Sequence, residues 1–264
     1  MDLDRYIPRD SPVHGFDARL KLVLALAAIV VIALLPPGAM LAFVIAFIGL
    51  VASSLAARLG PWRLLRGSWV ALPFVVIALP LLFTRAGEAL AVIDVGPLAL
   101  SLTREGLRDV LSIVAKSWLS VQVALLLTYT TPFPDLVDAL RGLRLPPIMV
   151  SIISFMYRYM AVIGEEAGRM NRARASRSGQ APAGGGGSVA WRARVTGSMV
   201  GSLFIRAYER SERVYAAMLA RGYEGAFHTA TAPRPDPASL AASAAVVASL
   251  LAFLAAGHLL VPRW

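Results

Sequence analysis

The 264-residue sequence contains no cysteine. That excludes disulfide scaffolds, thiol nucleophiles and cysteine-ligated metals together. Charge is also scarce, at 16% of residues, where a soluble domain carries about a quarter. So little polar surface cannot wrap a soluble globule of this length. Lysine is nearly missing, with Lys21 and Lys116 alone, so the net charge of +10 is almost all arginine. His14, His228 and His258 lie far apart, and no ligand-spaced cluster predicts a metal site. There is no G-x-x-x-x-G-K-[ST] motif, and the run Gly184–Gly187 has no lysine after it, so ATP hydrolysis by this chain is not expected. What is abundant is apolar: 57% hydrophobic residues and a mean hydropathy of +0.65. These exclude disorder and leave a membrane protein with a basic part outside the bilayer.

A helix needs about 20 mostly apolar residues to cross the hydrocarbon. Leu22–Leu35 and Ala39–Ala57 flank Pro36-Pro37-Gly38 and read as a helical hairpin. A signal peptide is a poor reading of the first, because no A-x-A site follows and a second span starts at once. Trp69–Phe83 is short and carries Pro73 and Pro80. Val110–Tyr129 is long enough but contains Lys116, and Ala238–Val261 is the cleanest span. Ile148–Ile163 is apolar but holds Arg158 and is trailed by Glu165 and Glu166.

Lys and Arg accumulate on the cytoplasmic side. Arg5, Arg9, Arg19 and Lys21 place the N-terminus inside, and Arg58, Arg63 and Arg66 fall inside after the hairpin. The mixed-charge loop Thr84–Asp109 lies outside. If Ile148–Ile163 crossed, ten arginines from Arg169 to Arg221 would be carried outside. The expectation is therefore five crossings, with Thr131–Asp236 as one cytoplasmic excursion.

Within that excursion a short helix Asp135–Gly142 precedes a long one from Ile148 to Arg177. Phe155, Tyr159, Ile163, Ala167 and Met170 share one stripe at 100° per residue, which Arg174 and Arg177 continue. Gln180–Ala190, with four glycines and a proline, reads as a flexible connector. Arg192–Arg221 is a second helix. Phe204, Ala207, Tyr208, Ser211, Val214, Tyr215, Met218 and Leu219 form its apolar band. Arg206, Arg210, Arg213 and Arg221 form a basic stripe beside that band, with Glu209 and Arg213 paired at i,i+4. Gly222 is the stop signal.

The basic stripe admits anionic lipid, nucleic acid or an acidic protein as its partner. No nucleic-acid-binding motif accompanies it, and small residues beside the terminal arginine favour insertion into a protein groove. Lys116 reads as snorkelling or as pairing between helices. No span carries Asp or Glu, so a proton-coupled permease lacks its relay.

These residues resemble a known family. Ser11-Pro12-Val13-His14-Gly15-Phe16-Asp17-Ala18-Arg19-Leu20-Lys21 is similar to the N-terminal signature of the transmembrane T component of energy-coupling factor (ECF) transporters, in its cobalt-type CbiQ branch. Thr130-Thr131-Pro132 through Leu140, then Leu145-Pro146 and Phe155-Met156-Tyr157-Arg158-Tyr159, resemble its central block. The most specific stretch runs from Leu203-Phe204-Ile205-Arg206-Ala207-Tyr208-Glu209-Arg210 to Ala220-Arg221-Gly222-Tyr223.

The resemblance implies an all-α polytopic protein of the bacterial cytoplasmic membrane. It would have a four-span bundle over 1–130, a coupling-helix module over 131–236 with a flexible linker at 180–190, and a C-terminal helix over 237–264. By similarity Ala220-Arg221-Gly222 and Ser176-Arg177-Ser178 would enter grooves on a CbiO-like ATPase dimer. Arg206, Arg210, Arg213, Phe204, Tyr208 and Met218 would support the second coupling helix. ATP would be bound by that ATPase, and the transition-metal cation, cobalt first, by a CbiM-like S component with an optional CbiN-like subunit. This chain would hold no cofactor, bind no nucleic acid, catalyse nothing, and serve cobalt uptake for cobalamin biosynthesis. A T component for nickel or a vitamin, and a self-contained permease, remain the alternatives.

Overall fold

A computed structural model describes residues 6–84, 89–95, 98–177, 188–224 and 237–260. The first helix, α1 (Ala18–Leu34), begins where the Asp17 carboxylate accepts the Arg19 amide at 2.8 Å, satisfying a donor that the helix itself leaves free. After the Pro36-Pro37-Gly38 turn, α2 (Met40–Ala56) runs for the same 17 residues. At 1.5 Å per residue each covers about 25 Å, the short end of a membrane span.

The stretch holding Pro73 and Pro80 is broken, as missing backbone donors require. It consists of α3 (Pro61–Gly67), a 3₁₀ turn at Ser68–Ala71, α4 (Leu72–Ala78) and α5 (Leu81–Thr84). The loop expected outside contains more order than its mixed charge suggested. Strands β1 (Ala89–Val95) and β2 (Leu98–Thr103) pair antiparallel, with Val95 opposite Leu98. Val92, Ile93 and Val95 are β-branched residues that suit extended backbone.

The 27-residue helix α6 (Arg104–Thr130) is capped by Thr103, whose Oγ1 accepts the Gly106 amide at 3.2 Å. It touches α1, α2, α3, α4 and α5 and is the axis of this unit. Gln122, fully buried on α6, donates from Nε2 to Ser68 Oγ in the 3₁₀ turn. That polar link ties the broken segment to the long helix. Ile32, Leu35, Ala39, Ala42, Phe43 and Leu119 form the apolar core. Outward-facing side chains are apolar too, with Leu41 63% and Ile77 71% exposed. A surface of that kind belongs in lipid.

The helix α7 (Phe133–Gly142) starts two residues before the expected Asp135, because the Pro132 carbonyl already accepts the amides of Asp135 and Leu136. Then follow α8 (Pro147–Arg177), α9 (Val189–Ala220) and α10 (Pro237–Leu260). The flexible connector expected to reach Ala190 ends sooner. Ser188 Oγ accepts the Trp191 amide at 3.2 Å and caps α9, so Ser188, Val189 and Ala190 belong to the helix start. Residues 180–187 of that connector lie outside the described residues.

The chain divides into two compact units, with the boundary inside α7 between Ala139 and Leu140. One unit holds α1–α6 and α10, the other α8 and α9. The C-terminal helix α10 packs on α1. Gly257 makes their approach possible, since a Cβ there would stand 2.6 Å from Leu35 Cδ2.

Among the described residues, four helical segments are long and apolar enough to cross a membrane: Leu65–Phe83, Arg104–Thr130, Pro147–Arg177 and Ser239–His258. Met40–Ala56 is a shorter apolar helix. Length and hydropathy alone therefore admit α8, and the argument against a crossing is the ten arginines from Arg169 to Arg221.

Candidate functional site

Two groups of polar side chains hold the membrane-type unit together. At its N-terminal side, His14 Nε2 meets the Ile7 carbonyl at 3.1 Å and its Nδ1 meets Ser11 Oγ at 2.6 Å. The Lys21 ammonium donates to the carbonyls of His14 and Thr130, both at 3.2 Å. Thr130 closes α6, so the N-terminal segment Ser11–Lys21 and the Thr130-Thr131-Pro132 block, 109 residues apart, form one structure.

At the other end of α6, Arg108, Ser112 and Lys116 stand at i, i+4 and i+8 on one face. Arg108 donates to the Pro37 carbonyl at 2.8 Å, Ser112 Oγ accepts the Gly38 amide at 2.8 Å, and Lys116 donates to the Ala33 carbonyl at 3.0 Å. From α10, His258 Nε2 reaches the Leu34 carbonyl at 3.2 Å. Lys116 thus pairs with a neighbouring helix end, where free carbonyls and the helix dipole favour a cation. His228 lies outside the described residues.

The second unit is where the predicted site residues gather. Glu166 on α8 accepts from Arg206 of α9 at 2.8 Å and from Arg169 of its own helix. A second link, from Arg174 to Thr196 Oγ1, spans 3.3 Å. Residue 174 faces 196 while 166 faces 206, so the helices run antiparallel. The two guanidinium hydrogen bonds hold the Glu166 carboxyl below its ordinary range. Its bridge is therefore complete above the ordinary carboxylate pKa and is lost as pH falls through the depressed value.

Away from these links the helices diverge around a cleft of about 930 Å³. Phe155, Tyr159 and Ile163 line one wall; Val214, Tyr215 and Met218 line the other. Arg206, Arg210 and Arg213 stand on its rim, and Arg213 lies 3.9 Å from Glu209 as the i,i+4 spacing predicts. The structure splits the predicted apolar band of α9. Ala207, Ser211, Val214, Tyr215 and Met218 turn to the cleft, whereas Phe204 (70% exposed), Tyr208 and Leu219 stay open outside it. The Tyr208 hydroxyl bonds to Glu212 one turn on, which raises its pKa.

Helix α9 ends in a Schellman motif. The Tyr223 amide bonds back to the Met218 carbonyl at 3.1 Å, and the Gly222 amide to the Leu219 carbonyl at 3.0 Å. Gly222 has φ +80°, the left-handed region in which a side chain is strained. Ala220 and Arg221 are exposed at this tip, while Tyr223 and Met218 both line the cleft. The tip of α8 is built differently: Ser176 Oγ donates to the Arg172 carbonyl at 3.1 Å, and exposed Arg177 is the last residue of the helix. Ser178 lies outside the described residues. Because the helices are antiparallel, Arg177 and Arg221 occupy opposite ends of the pair.

The arginines stand out in the sequence, but their acidic partner Glu166 does not, since there it is only a charge trailing an apolar run. The Arg108–Ser112–Lys116 face has a sequence signal in its i, i+4, i+8 spacing, but its partners are backbone carbonyls and amides that carry none.

The family of cobalt transport proteins called CbiQ matches residues 9–231. The cobalt transport protein CbiQ of Rhodobacter capsulatus is 30% identical over 178 residues, 67% of this chain and 70% of its own. A protein of Methanocorpusculum labreanum named as a fused cobalt transport protein CbiMQ is 30% identical over 224 residues, 81% of this chain but 35% of its own. The energy-coupling factor transporter transmembrane protein EcfT of Heliobacterium modesticaldum is 28% identical over 235 residues, 84% of each chain.

Proposed function

Because the chain belongs to the CbiQ family, the transmembrane T component of cobalt-type ECF transporters, we propose that it carries the motion of an ATPase dimer to a separate substrate-binding subunit. The observation that supports this most is the placement of Arg177 and Arg221 at opposite ends of an antiparallel helix pair. Two tips so separated suit two ATPase subunits, one tip to each. The exposed Arg221 guanidinium, flanked by Ala220 and Gly222, is narrow enough to enter an acidic groove and form paired hydrogen bonds there. Arg177, flanked by serines, would serve the second groove.

In this reading α8 and α9 lie on the cytoplasmic side together with the N-terminus, as their arginines argue. ATP binding and hydrolysis move the grooves, and the helix pair passes that movement to a membrane subunit that holds the cobalt ion. The relative named as a fused CbiMQ supports a CbiM-like protein in that role. The chain itself is a non-catalytic subunit, with ATP on one partner and the metal cargo on the other.

The test is purification of the tagged chain from cells that coexpress the neighbouring ATPase and substrate-binding subunits. Both should be retained in detergent. A chain recovered intact without any ATPase contradicts the reading.

A further inference from the structure

Glu166 is one carboxylate serving two helices. Its Oε1 accepts from Arg206 of α9 at 2.8 Å, and its Oε2 accepts from Arg169 of α8. Its side chain is 19% exposed, whereas those of Arg169 and Arg206 are 52% and 62% exposed. An isolated surface ion pair contributes little, but a shared carboxylate in a network with fixed geometry restrains its partners more. Small half-buried residues stand beside it, Ala167 and Gly168 on α8 and Ala207 on α9. Larger ones, Phe155, Tyr159, Met218 and Tyr223, line the cleft where the helices separate.

The bridge therefore sits at the closed end of the cleft. From it, Arg177 lies 11 residues along α8 and Arg221 lies 15 residues along α9. At 1.5 Å per residue these arms are about 16 and 22 Å long. They leave the bridge in opposite directions, because the helices are antiparallel.

We propose that Glu166 is a positioning residue, the pivot through which displacement at one arginine tip becomes rotation of the other helix and a change in the width of the cleft. The inference rests on the coupling role proposed above and says which side chain transmits the motion. The helices are linked at the Glu166 bridge and, on the side away from the cleft, by Arg174 and Thr196. Beyond the bridge they are separated by the cleft, so they can turn at its closed end, whereas helices packed along their whole length move as a block. Loss of the bridge would let each tip move without carrying the other arm. ATP would still be hydrolysed, but less of the motion would reach the membrane subunit.

The experiment uses the complete complex in liposomes and compares the wild type with Glu166→Gln, Arg206→Met and the double variant. Cobalt uptake per ATP hydrolysed should fall about fivefold or more in each single variant, the lower end of ordinary coupling energies, with the ATPase still bound. The double variant should be no worse than the worse single one, because both remove the same bridge. The absence of native cysteine allows Met160→Cys and Ala216→Cys to carry spin labels on α8 and α9 on the cleft side of the bridge, where they report the width of the cleft. Their separation should change with nucleotide in the wild type and lose that response in Glu166→Gln. Unchanged uptake per ATP, additive losses, or an unchanged label response in the variants would overturn the pivot. Failure of the wild-type chain to hold an ATPase would instead overturn the coupling role, and the pivot with it.

Discussion

A lone ammonium inside a membrane span invites a transport role by default. Lys116 acts more locally, because it donates to the Ala33 carbonyl at 3.0 Å and supplies a hydrogen bond that the end of α1 lacks. Arg108 and Ser112 bind the adjoining turn from the same face of α6. If Lys116 is a clasp, Lys116→Met leaves a helix-end carbonyl unpaired and costs about 1 kcal/mol. Thermal unfolding of the purified chain should then show a lowered midpoint, while uptake by the folded complex stays near wild type. Abolished uptake with an unchanged midpoint would place Lys116 on a transport route instead. At this scale the sequence was partly legible. Pairing between helices was one of the two expectations for Lys116, but its partner is a backbone carbonyl 83 residues away. Backbone partners leave no mark in the order of side chains.

Helix positions were the most legible feature, because apolar runs, prolines and caps are local signals. The proline-bearing segment came out broken at the 3₁₀ turn and before Pro80, and Gly222 stands where α9 stops. Less legible was the division of each amphipathic face, since the periodicity of α9 cannot say which part of a wide apolar band meets α8. Phe204 and Tyr208 ended outside the cleft, and Val214 and Met218 within it. The close of α9 depends on the left-handed backbone of Gly222, φ +80°. A Cβ in that conformation costs roughly 1–2 kcal/mol, whereas asparagine adopts it more readily. Gly222→Ala should therefore loosen the last turn and displace Arg221, lowering uptake, while Gly222→Asn should retain more activity than the alanine variant. Equal activity of the two would show that the turn does not position the arginine.

As a whole, the molecule is two compact units with different physics. One has an apolar core and an apolar exterior and is held by α6, by backbone-directed clasps and by the Gln122–Ser68 link. The other is an antiparallel helix pair with a charged bridge, an apolar cleft and arginines at both ends. Composition and arginine placement made this division legible, since the excess positive charge is concentrated in the stretch that forms α8 and α9. The bridge itself was not legible: Glu166 and Arg206 lie 40 residues apart across a Gly-rich connector. In the proposed coupling role, force enters through the arginine at the tip of α9. Cobalt uptake by the Arg221→Glu variant, at membrane levels matched to the wild type, measures it directly. Uptake should be abolished while the variant still inserts in the membrane; uptake at the wild-type rate would exclude that entry point.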